Sequence, residues 1–252
     1  MKNKILLFDI ETAPLVSYTW GIWEQNVIDV KEDWYMLSFS AKWLGEKETK
    51  VYGLPDFPLY KKDKTNDKEL IRKLWELFDE AEVLVAHNGD EFDIKKANAR
   101  FITHNLTPPA PYQKIDTKKV AKRYFKFDSN KLDELGEYLG VGRKSPTGGF
   151  DLWLGCMAGD KKSWQRMKDY NKQDVVLLEK IYIELRPWMN NHPNLNIIND
   201  TLRNCPTCGS DKVHSRGVVP VGRTSTKKRF KCTDCHAWSY GKPQAIEGLM
   251  IR

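Results

Sequence analysis

The sequence predicts an α/β fold with a mixed sheet, followed by a small cysteine-rich module. Three observations lead to this prediction. Apolar runs of strand length alternate with segments of helical periodicity over the first 186 residues. The early strands follow one another directly and helices separate the later ones, which is typical of mixed sheets. Four of the five cysteines stand in two C-x-x-C pairs near the C-terminal end.

Each element follows from its local pattern, taken in chain order. Apolar runs predict strands at residues 4–9, 34–44, 50–54, 83–86 and 113–115. Helical spacing predicts helices at residues 67–80, 92–102, 117–124, 131–139 and 163–185. Asp67 is expected to cap the first of these helices, and Pro187 to end the last. Residues 140–149 form a loop rich in glycine and proline.

Composition divides the chain into an expected domain at 1–186, a linker at 187–203 and a basic module at 204–252. Two prolines and several asparagines favour turns in the linker. Basic and acidic residues balance at 31 each up to residue 200, whereas the rest holds 10 basic and 3 acidic residues. Because the whole excess of +7 lies in the last module, we expect a polyanionic partner there. A merely solvated basic surface is the alternative.

The same survey excludes membrane insertion and favours a reducing compartment. Charged residues interrupt every stretch before it reaches the roughly 18 apolar residues of a membrane span. The apolar run at the N-terminal end is only four residues long and leads into acidic residues, so no signal peptide is expected. Paired cysteines without a disulfide-rich composition indicate metal binding in the cytoplasm.

Three short segments concentrate acidic side chains where buried elements end. Asp9 and Glu11 lie two residues apart on the first strand, so they would share one face and repel each other unless a cation sits between them. Asp93 opens a helix after a strand and a glycine turn. Tyr170 and Asp174 are four residues apart and share a helical face. Solvated acids and helix caps are the plain alternatives for each segment.

Taken together, FDIET, HNGDEFD and YNKQD resemble the three motifs of the DEDDy 3′–5′ exonucleases in the DnaQ-like superfamily. That family has a ribonuclease H-like fold and includes the proofreading domains of family B DNA polymerases. The resemblance covers residues 1–186. It implies that four carboxylates hold two catalytic Mg²⁺ or Mn²⁺ ions and that a tyrosine belongs to the catalytic site. These residues are Asp9, Glu11, Asp93 and Asp174 for the metals, with Tyr170 as the tyrosine.

The resemblance further implies that Asn88 lies near the 3′-terminal nucleotide. The chemistry agrees, because two metals can activate water and stabilise the leaving oxygen of a phosphodiester. Carboxylates are the hard oxygen ligands that Mg²⁺ and Mn²⁺ prefer. A neutral phenol is a poor base, so we expect Tyr170 to orient water rather than remove its proton. Asp116 is expected to act as a helix cap only.

The cysteine pairs predict one structural zinc ion in a module that resembles a zinc ribbon. Cys205 and Cys208 would form one knuckle, and Cys232 and Cys235 the other, so that four thiolates close a tetrahedral site. A β-hairpin turning near Gly222 is expected between them. Nucleic-acid contacts are predicted for basic residues of this module, namely Arg216, Arg223, Lys227, Lys228, Arg229 and Lys231. Protein docking is the alternative role.

The sequence therefore predicts a metal-dependent 3′–5′ exonuclease that acts on DNA 3′ ends and single strands. A zinc ribbon would help to hold the nucleic acid, and a separate DNA polymerase or another replication protein is a candidate partner. Two alternatives stay open: an exonuclease that trims RNA, and a catalytically impaired protein that binds or recruits nucleic acid. No membrane partner is expected.

Overall fold

A computed structural model of the chain describes residues 4–23 and 26–246. Within that part the chain divides into two compact units, residues 4–182 and residues 183–246. None of the helices in the described ranges is both long enough and apolar enough to cross a membrane. The expected boundaries at residues 186 and 203 stay predictions.

The first unit contains seven described strands, of which five form its main sheet. The strands are β1 (Ile5–Thr12), β2 (Val16–Tyr18), β3 (Asp29–Glu32), β4 (Met36–Trp43), β5 (Lys50–Gly53), β6 (Val83–Ala86) and β7 (Gln113–Asp116). The main sheet has the order β5-β4-β1-β6-β7. β1 pairs antiparallel with β4 and parallel with β6, so the sheet is mixed, as predicted. β2 and β3 form a separate hairpin.

Six helices accompany this sheet, and two short 3₁₀ turns at Leu54–Asp56 and Pro58–Lys61 follow β5. The helices are α1 (Lys68–Glu80), α2 (Asp93–Thr103), α3 (Thr117–Tyr124), α4 (Leu132–Tyr138), α5 (Asp151–Ala158) and α6 (Lys161–Leu185). The apolar face of α1 is fully buried, and its Phe78 meets Phe8 of β1 edge-on with ring centroids 4.8 Å apart. This packing anchors β1, the central strand, in the core.

The predicted elements agree with the structure to within three residues at each boundary, and the two strands of a hairpin and one helix were missed. The hairpin β2–β3 was missed because its exposed residues carry no buried apolar alternation. Helix α5 was missed because the glycine-rich loop leads directly into it. The mixed α/β fold class is confirmed, since a five-stranded mixed sheet and helices form the first unit.

The expectation for Asp67 is wrong in its detail. Asp67 precedes α1, but its side chain makes no capping hydrogen bond. Instead the buried carboxylate accepts hydrogen bonds from the backbone N–H of Met36 at 2.8 Å and from Nε of Arg100 at 2.8 Å, and it lies 2.6 Å from Nε2 of His104. A buried carboxylate is satisfied better by a guanidinium than by a helix N-terminus alone, because charge-assisted bonds are stronger.

The second unit contains a short helix and a small antiparallel sheet. Its elements are α7 (Leu195–Ile198), β8 (Val213–Val221), β9 (Ser225–Cys232), β10 (Trp238–Tyr240) and β11 (Gln244–Ala245), after a 3₁₀ turn at Arg186–Trp188. The linker was expected to favour turns, and Asn194 instead caps α7 through its side chain. The predicted hairpin is confirmed: β8 and β9 join at a turn in which Gly222 has φ +61°.

Candidate active site

β1 presents its two acidic side chains on one face, as predicted, because the strand continues through both residues to Thr12. Asp9 pairs with Ser40 of β4, and Glu11 pairs with Ser38. The amide of Asn171, buried in α6, donates to Oδ2 of Asp9 at 2.7 Å and accepts from the hydroxyl of Ser38 at 3.3 Å. The first strand and the last helix of the unit are therefore joined at the first acidic pair.

Three of the four predicted carboxylates form one cluster. One oxygen from each of Asp9, Glu11 and Asp174 lies within 4.8 Å of the others. Asp93 is buried at the first turn of α2 and does not belong to this three-residue cluster. Its Oδ1 accepts the backbone N–H of Ile10 at 3.2 Å. Its charge still raises the pKa of Asp9, so it lies beside the cluster.

Burial and mutual repulsion raise the pKa of each of these carboxyl groups. The pKa of Asp9 is held well above its usual value by burial first, then by the charges of Asp93, Glu11 and Asp174. Burial and the neighbouring Asp174 raise the pKa of Glu11 to about 8. Burial raises the pKa of Asp93 to about 7. Acids perturbed in this way are typical of sites that bind cations.

Lys144, from the glycine-rich loop, supplies a positive charge to this cluster. Its Nζ lies 2.7 Å from Oδ2 of Asp174 and 5.0 Å from the ring centroid of Tyr170. Burial disfavours the charged ammonium, but Asp174 outweighs this effect and raises the pKa of Lys144. Burial and the charge of Asp174 raise the pKa of the Tyr170 phenol. The hydroxyl of Tyr170 therefore stays protonated at neutral pH.

The residues present fit a divalent cation. Oδ1 of Asp174 is buried and has no hydrogen-bond partner among the described residues. The buried hydroxyl of Ser40, the strand partner of Asp9, also lacks one. Buried polar atoms are normally paired, so unpaired carboxylate oxygens beside other acids indicate space for an ion. All donors are hard oxygens, which favours Mg²⁺ or Mn²⁺ over softer metals.

Asn88, which follows β6, is held in a defined conformation by its hydrogen bonds. Its φ is +68°, in the left-handed region. Oδ1 of Asp116 accepts the backbone N–H of Asn88 at 2.9 Å, and the same carboxylate caps α3 through the N–H groups of Lys118 and Lys119. The expected helix cap is therefore confirmed, and Asp116 has a second role as the anchor of Asn88. Lys118 Nζ donates to Oδ1 of Asn88 at 3.2 Å.

A cavity of about 440 Å³ begins where β1 ends. Its walls include Thr12 to Leu15, Trp34, Lys96, Phe150 and Trp153. Nζ of Lys96 lies 3.6 Å from the ring centroid of Trp34. Trp153 meets the ring of Tyr170 edge-on at 6.4 Å between centroids. The cavity thus adjoins the predicted site residues and has aromatic walls and one cation.

In the second unit, the four predicted zinc ligands form a compact cluster. Sγ of Cys205 lies 3.6 Å from Sγ of Cys235, and Sγ of Cys208 lies 3.7 Å from Sγ of Cys232. Tetrahedral Zn²⁺ with Zn–S bonds of about 2.3 Å requires edges of about 3.8 Å between sulfurs. The cluster is therefore compatible with a structural zinc module.

Both knuckles use a left-handed residue directly after their second cysteine. Gly209 has φ +80° after Cys208, and His236 has φ +62° after Cys235. The N–H of Gly209 donates to the carbonyl of Cys205 at 2.8 Å, which closes the first knuckle. Glycine adopts this conformation without strain, whereas His236 adopts it at a cost. Both knuckles turn all four sulfurs toward one point.

The six basic residues predicted to bind nucleic acid do not share one surface. Side chains alternate along β9, so Lys227, Arg229 and Lys231 point to one face and Lys228 to the other. β10 places Trp238 opposite Lys231 and Tyr240 opposite Arg229. The Trp238 ring centroid lies 5.5 Å from Cζ of Arg229 and 5.6 Å from Nζ of Lys231. Arg216 lies on β8, and Arg223 lies in the hairpin turn.

Sequence reasoning missed one residue of the site and underestimated another. Asn171 stands inside the third motif, yet only the structure shows that its amide holds Asp9. From its place in the glycine-rich loop, Lys144 was considered either as a contact to the DNA backbone or as a solvated residue, and the structure places its ammonium against Asp174. A lysine in a glycine-rich loop between two acidic motifs is only a weak sequence signal for an ion pair with a site carboxylate.

Comparisons with known proteins agree with this architecture. A family model described as RNase_H superfamily matches residues 6–186. No curated protein sequence matches significantly. The similar solved structures include the family B DNA polymerase from the hyperthermophilic archaeon Pyrobaculum calidifontis, with 14% identity and a TM-score of 0.50. The match covers 73% of this chain and 25% of the polymerase, so this chain spans about a quarter of its length. At this identity the likeness shows the fold alone.

Proposed function

Because the chain belongs to the RNase_H superfamily, we propose that it is a metal-dependent nuclease that removes nucleotides from the 3′ end of DNA. The single observation that carries this proposal is the carboxylate cluster of Asp9, Glu11 and Asp174. It lies on the central strand and the last helix of the matched domain and contains an unpaired buried oxygen. Such an arrangement has little structural value, because buried acids repel each other without a cation.

In this proposal Asp9, Glu11, Asp93 and Asp174 hold two Mg²⁺ or Mn²⁺ ions. The ions, when bound, activate water and stabilise the leaving 3′ oxygen of the phosphodiester. Asn171 keeps the Asp9 carboxylate in place through its 2.7 Å hydrogen bond. A carboxylate that already has its binding orientation holds an ion more tightly, because less side-chain entropy is lost when the ion binds.

Two further side chains have proposed roles near the phosphodiester. The phenol of Tyr170 stays neutral, so its O–H orients the attacking water and does not act as the general base. Lys144 is ion-paired with Asp174 and keeps its positive charge. With an ion held by Asp174, the ammonium of Lys144 would be free to contact a phosphate oxygen.

The substrate end is proposed to occupy the space between Asn88 and the cavity after β1. A 3′-terminal nucleoside presents a flat base and polar sugar hydroxyls, and the cavity offers indole rings at Trp34 and Trp153. In this proposal the side-chain amide of Asn88 supplies a polar contact to the terminal nucleotide. Single strands and frayed ends fit this arrangement, because a terminal base must unstack before it can enter.

The second unit is proposed to be a zinc ribbon that strengthens nucleic-acid binding. One Zn²⁺ held by Cys205, Cys208, Cys232 and Cys235 would order the two knuckles, since a unit this small has little apolar core. A closed site of four thiolates leaves no position for water, so this ion performs no chemistry. The face formed by Lys227, Arg229, Lys231, Trp238 and Tyr240, called here the ribbon face, is the proposed contact surface.

On the ground of the likeness to a family B DNA polymerase, we further propose that the chain proofreads beside a separate polymerase. Replication and repair are therefore the proposed settings. The partner enzyme is proposed only as a class, namely a DNA polymerase or another replication protein.

A time course on 5′-labelled substrates tests the proposal. Single-stranded DNA, RNA of the same sequence and a duplex with a mismatched 3′ end are incubated with Mg²⁺ or Mn²⁺. We expect a ladder that shortens from the 3′ end, strongest on single-stranded DNA, and no ladder for Asp174→Asn. Internal cuts or activity in a chelator would contradict the proposal, and a ladder on RNA alone would change its substrate.

A further inference from the structure

A strongly basic segment follows the strand that ends at Asp116. Residues 117–131 contain six basic residues and one acidic residue. Four of the basic residues lie on α3: Lys118, Lys119, Lys122 and Arg123. At about 100° per residue they span an arc of about 140°, away from the buried Thr117 and Ala121. α3 therefore presents a positively charged face to solvent.

Most of this charge is not neutralised by other residues of the described ranges. Lys119 pairs with Asp90 and Glu91, and Lys118 donates to Asn88. Lys122, Arg123 and Lys126 are exposed, and none of them forms an ion pair with a residue of the described ranges. These three residues are called here the basic strip. Three adjacent cations without counter-ions repel each other, so a polyanion bound along them would be stabilised.

Aromatic rings continue from the end of α3. Phe125 stacks on Phe127 with ring centroids 5.2 Å apart, and Phe127 stacks on Tyr138 of α4 at 5.7 Å. The planes of the second pair differ by only 17°. Tyr138 ends this column and is 49% exposed. A half-exposed ring at the end of a stack offers a face on which an unpaired base can continue it.

Helix α3, which carries Lys122 and Arg123 of the strip, contacts the proposed substrate site at its N-terminal end. Lys118 reaches Asn88, and Thr117 Oγ1 lies 2.9 Å from Nδ1 of His87. Nε2 of His87 lies 3.0 Å from the carbonyl oxygen of Asn130, which follows the aromatic residues. α3 alone is about 12 Å long. A strand whose 3′ end lies at Asn88 would reach the strip with the nucleotides that precede that end.

We propose that the basic strip and Tyr138 bind the single strand on the 5′ side of the nucleotide being removed. This inference rests on the proposed function, because it assumes a nucleic-acid substrate. The strip supplies contacts to phosphates, and Tyr138 supplies a stacking surface for one base. The surface therefore makes binding depend on strand length, whereas the carboxylate site alone would bind only the terminal nucleotides.

The test measures binding by fluorescence anisotropy with 5′-labelled single strands of about 4 and about 15 nucleotides. All proteins are full-length and carry Asp174→Asn, which prevents cleavage. The strip variant carries Lys122→Gln, Arg123→Gln and Lys126→Gln. The matched control carries Lys61→Gln, Lys62→Gln and Arg72→Gln, which remove the same charges from exposed positions at and before α1. Melting curves verify that both variants fold.

For the longer strand, we expect the strip variant to lower the slope of log affinity against log salt by about 2, because each phosphate contact on a single strand contributes about 0.7. The control should leave the slope unchanged, and neither should affect the short strand. Tyr138→Ala should lower the affinity for the longer strand about tenfold, whereas Tyr138→Phe should retain the affinity of the parent. Equal slopes for the strip variant and the parent would overturn the inference. The inference would also be overturned if the strip variant lost as much affinity for a blunt duplex as for the longer single strand, because the strip would then bind duplex.

Failure of the proposed function is distinguishable from failure of this inference. If the wild-type chain does not shorten any strand, the nuclease proposal fails, while the anisotropy result still decides whether the strip binds nucleic acid. If the chain shortens single strands but the strip variant binds both lengths as the parent does, only the inference fails.

Discussion

Asn171 on α6 donates a hydrogen bond of 2.7 Å to Oδ2 of Asp9 on β1, across 162 positions of the sequence. The same amide accepts from Ser38 on β4, so three elements meet at one buried side chain. This bond explains how a half-buried carboxylate on the central strand keeps one orientation. It also links the first and third acidic motifs before any metal binds.

Asn171→Ala is expected to lower nuclease activity about 10–100-fold, because groups that orient metal ligands typically matter to this extent. The loss should appear as a shift of the half-saturating Mn²⁺ concentration to a higher value, with activity partly recovered at high metal concentration. Metal titrations of the cleavage rate measure this effect. Lys172→Ala, at the adjacent exposed position of α6, is the matched control and should behave as wild type. An unchanged metal dependence in Asn171→Ala would show that Asp9 needs no such support.

Tyr170→Phe is expected to reduce turnover about 10²-fold, at the lower end for groups that assist proton transfer or position water. The substitution removes only the hydroxyl, so the ring keeps its contact with Trp153. Substrate binding should therefore change little, and single-turnover rates should fall while KM stays constant. A normal rate in the Phe variant would leave Tyr170 with a packing role only.

Metal binding is expected to release protons and to strengthen between about pH 4.5 and about pH 8. The pKa of Glu11 is raised to about 8, so in this window the metal-free folded chain holds a proton that the unfolded chain has lost. The stability of the metal-free protein should therefore fall as pH rises through the window. Calorimetric Mn²⁺ titrations in buffers of different ionisation enthalpy count the protons released. Glu11→Gln should release fewer, and equal release would contradict this assignment.

Variants of the ribbon face should weaken nucleic-acid binding without affecting the chemical step. Arg229→Gln with Lys231→Gln removes two charges beside Trp238, whereas Arg223→Gln with Lys228→Gln removes the same charges elsewhere. The first pair should flatten the salt dependence by about 1.4, and the second should change it less. Anisotropy at several salt concentrations measures both. If both double variants lowered the salt dependence equally, general electrostatic attraction would be favoured over a defined contact face. If neither changed it, protein docking would be favoured as the role of the second unit.

Ordering of the second unit should depend on zinc. Replacing Cys205 and Cys208 together with Ser should weaken nucleic-acid binding as the ribbon-face variant does. The reason is that the four-thiolate cluster can no longer close around the ion. Zinc content by atomic absorption, measured beside the anisotropy, checks that the variant has lost its ion.

The sequence predicts those features that depend on local periodicity. β1 and α3 could be placed because an apolar run and a helical repeat each identify themselves over a few residues. The shared face of Asp9 and Glu11 follows from strand geometry alone. Helix α5 lacks this advantage: it has few polar residues to define a second face, and a glycine-rich loop precedes it.

The features that could not be predicted depend on partners far away in the chain. Asp67 has the pattern of a helix cap, but Arg100 and the backbone of Met36 take its carboxylate. The role of Lys144 requires the glycine-rich loop to fold back onto α6, which no local pattern encodes. Similarly, the position of Trp238 beside Arg229 and Lys231 became apparent only with the pairing of β9 and β10.

The central claim is that the carboxylate cluster holds the divalent ions needed for cleavage. Mn²⁺ binding to the full chain, counted by electron paramagnetic resonance beside cleavage of a 5′-labelled single strand, tests it most directly. We predict about two bound ions, with loss of binding and of cleavage together in Asp9→Asn and Asp174→Asn. Asp93→Asn should lose cleavage although Asn can still accept from Ile10. The matched control Asp63→Asn, at an exposed carboxylate that accepts hydrogen bonds from Thr65, should lose neither binding nor cleavage. Unchanged Mn²⁺ binding in Asp9→Asn, or cleavage that continues without bound metal, would contradict the account.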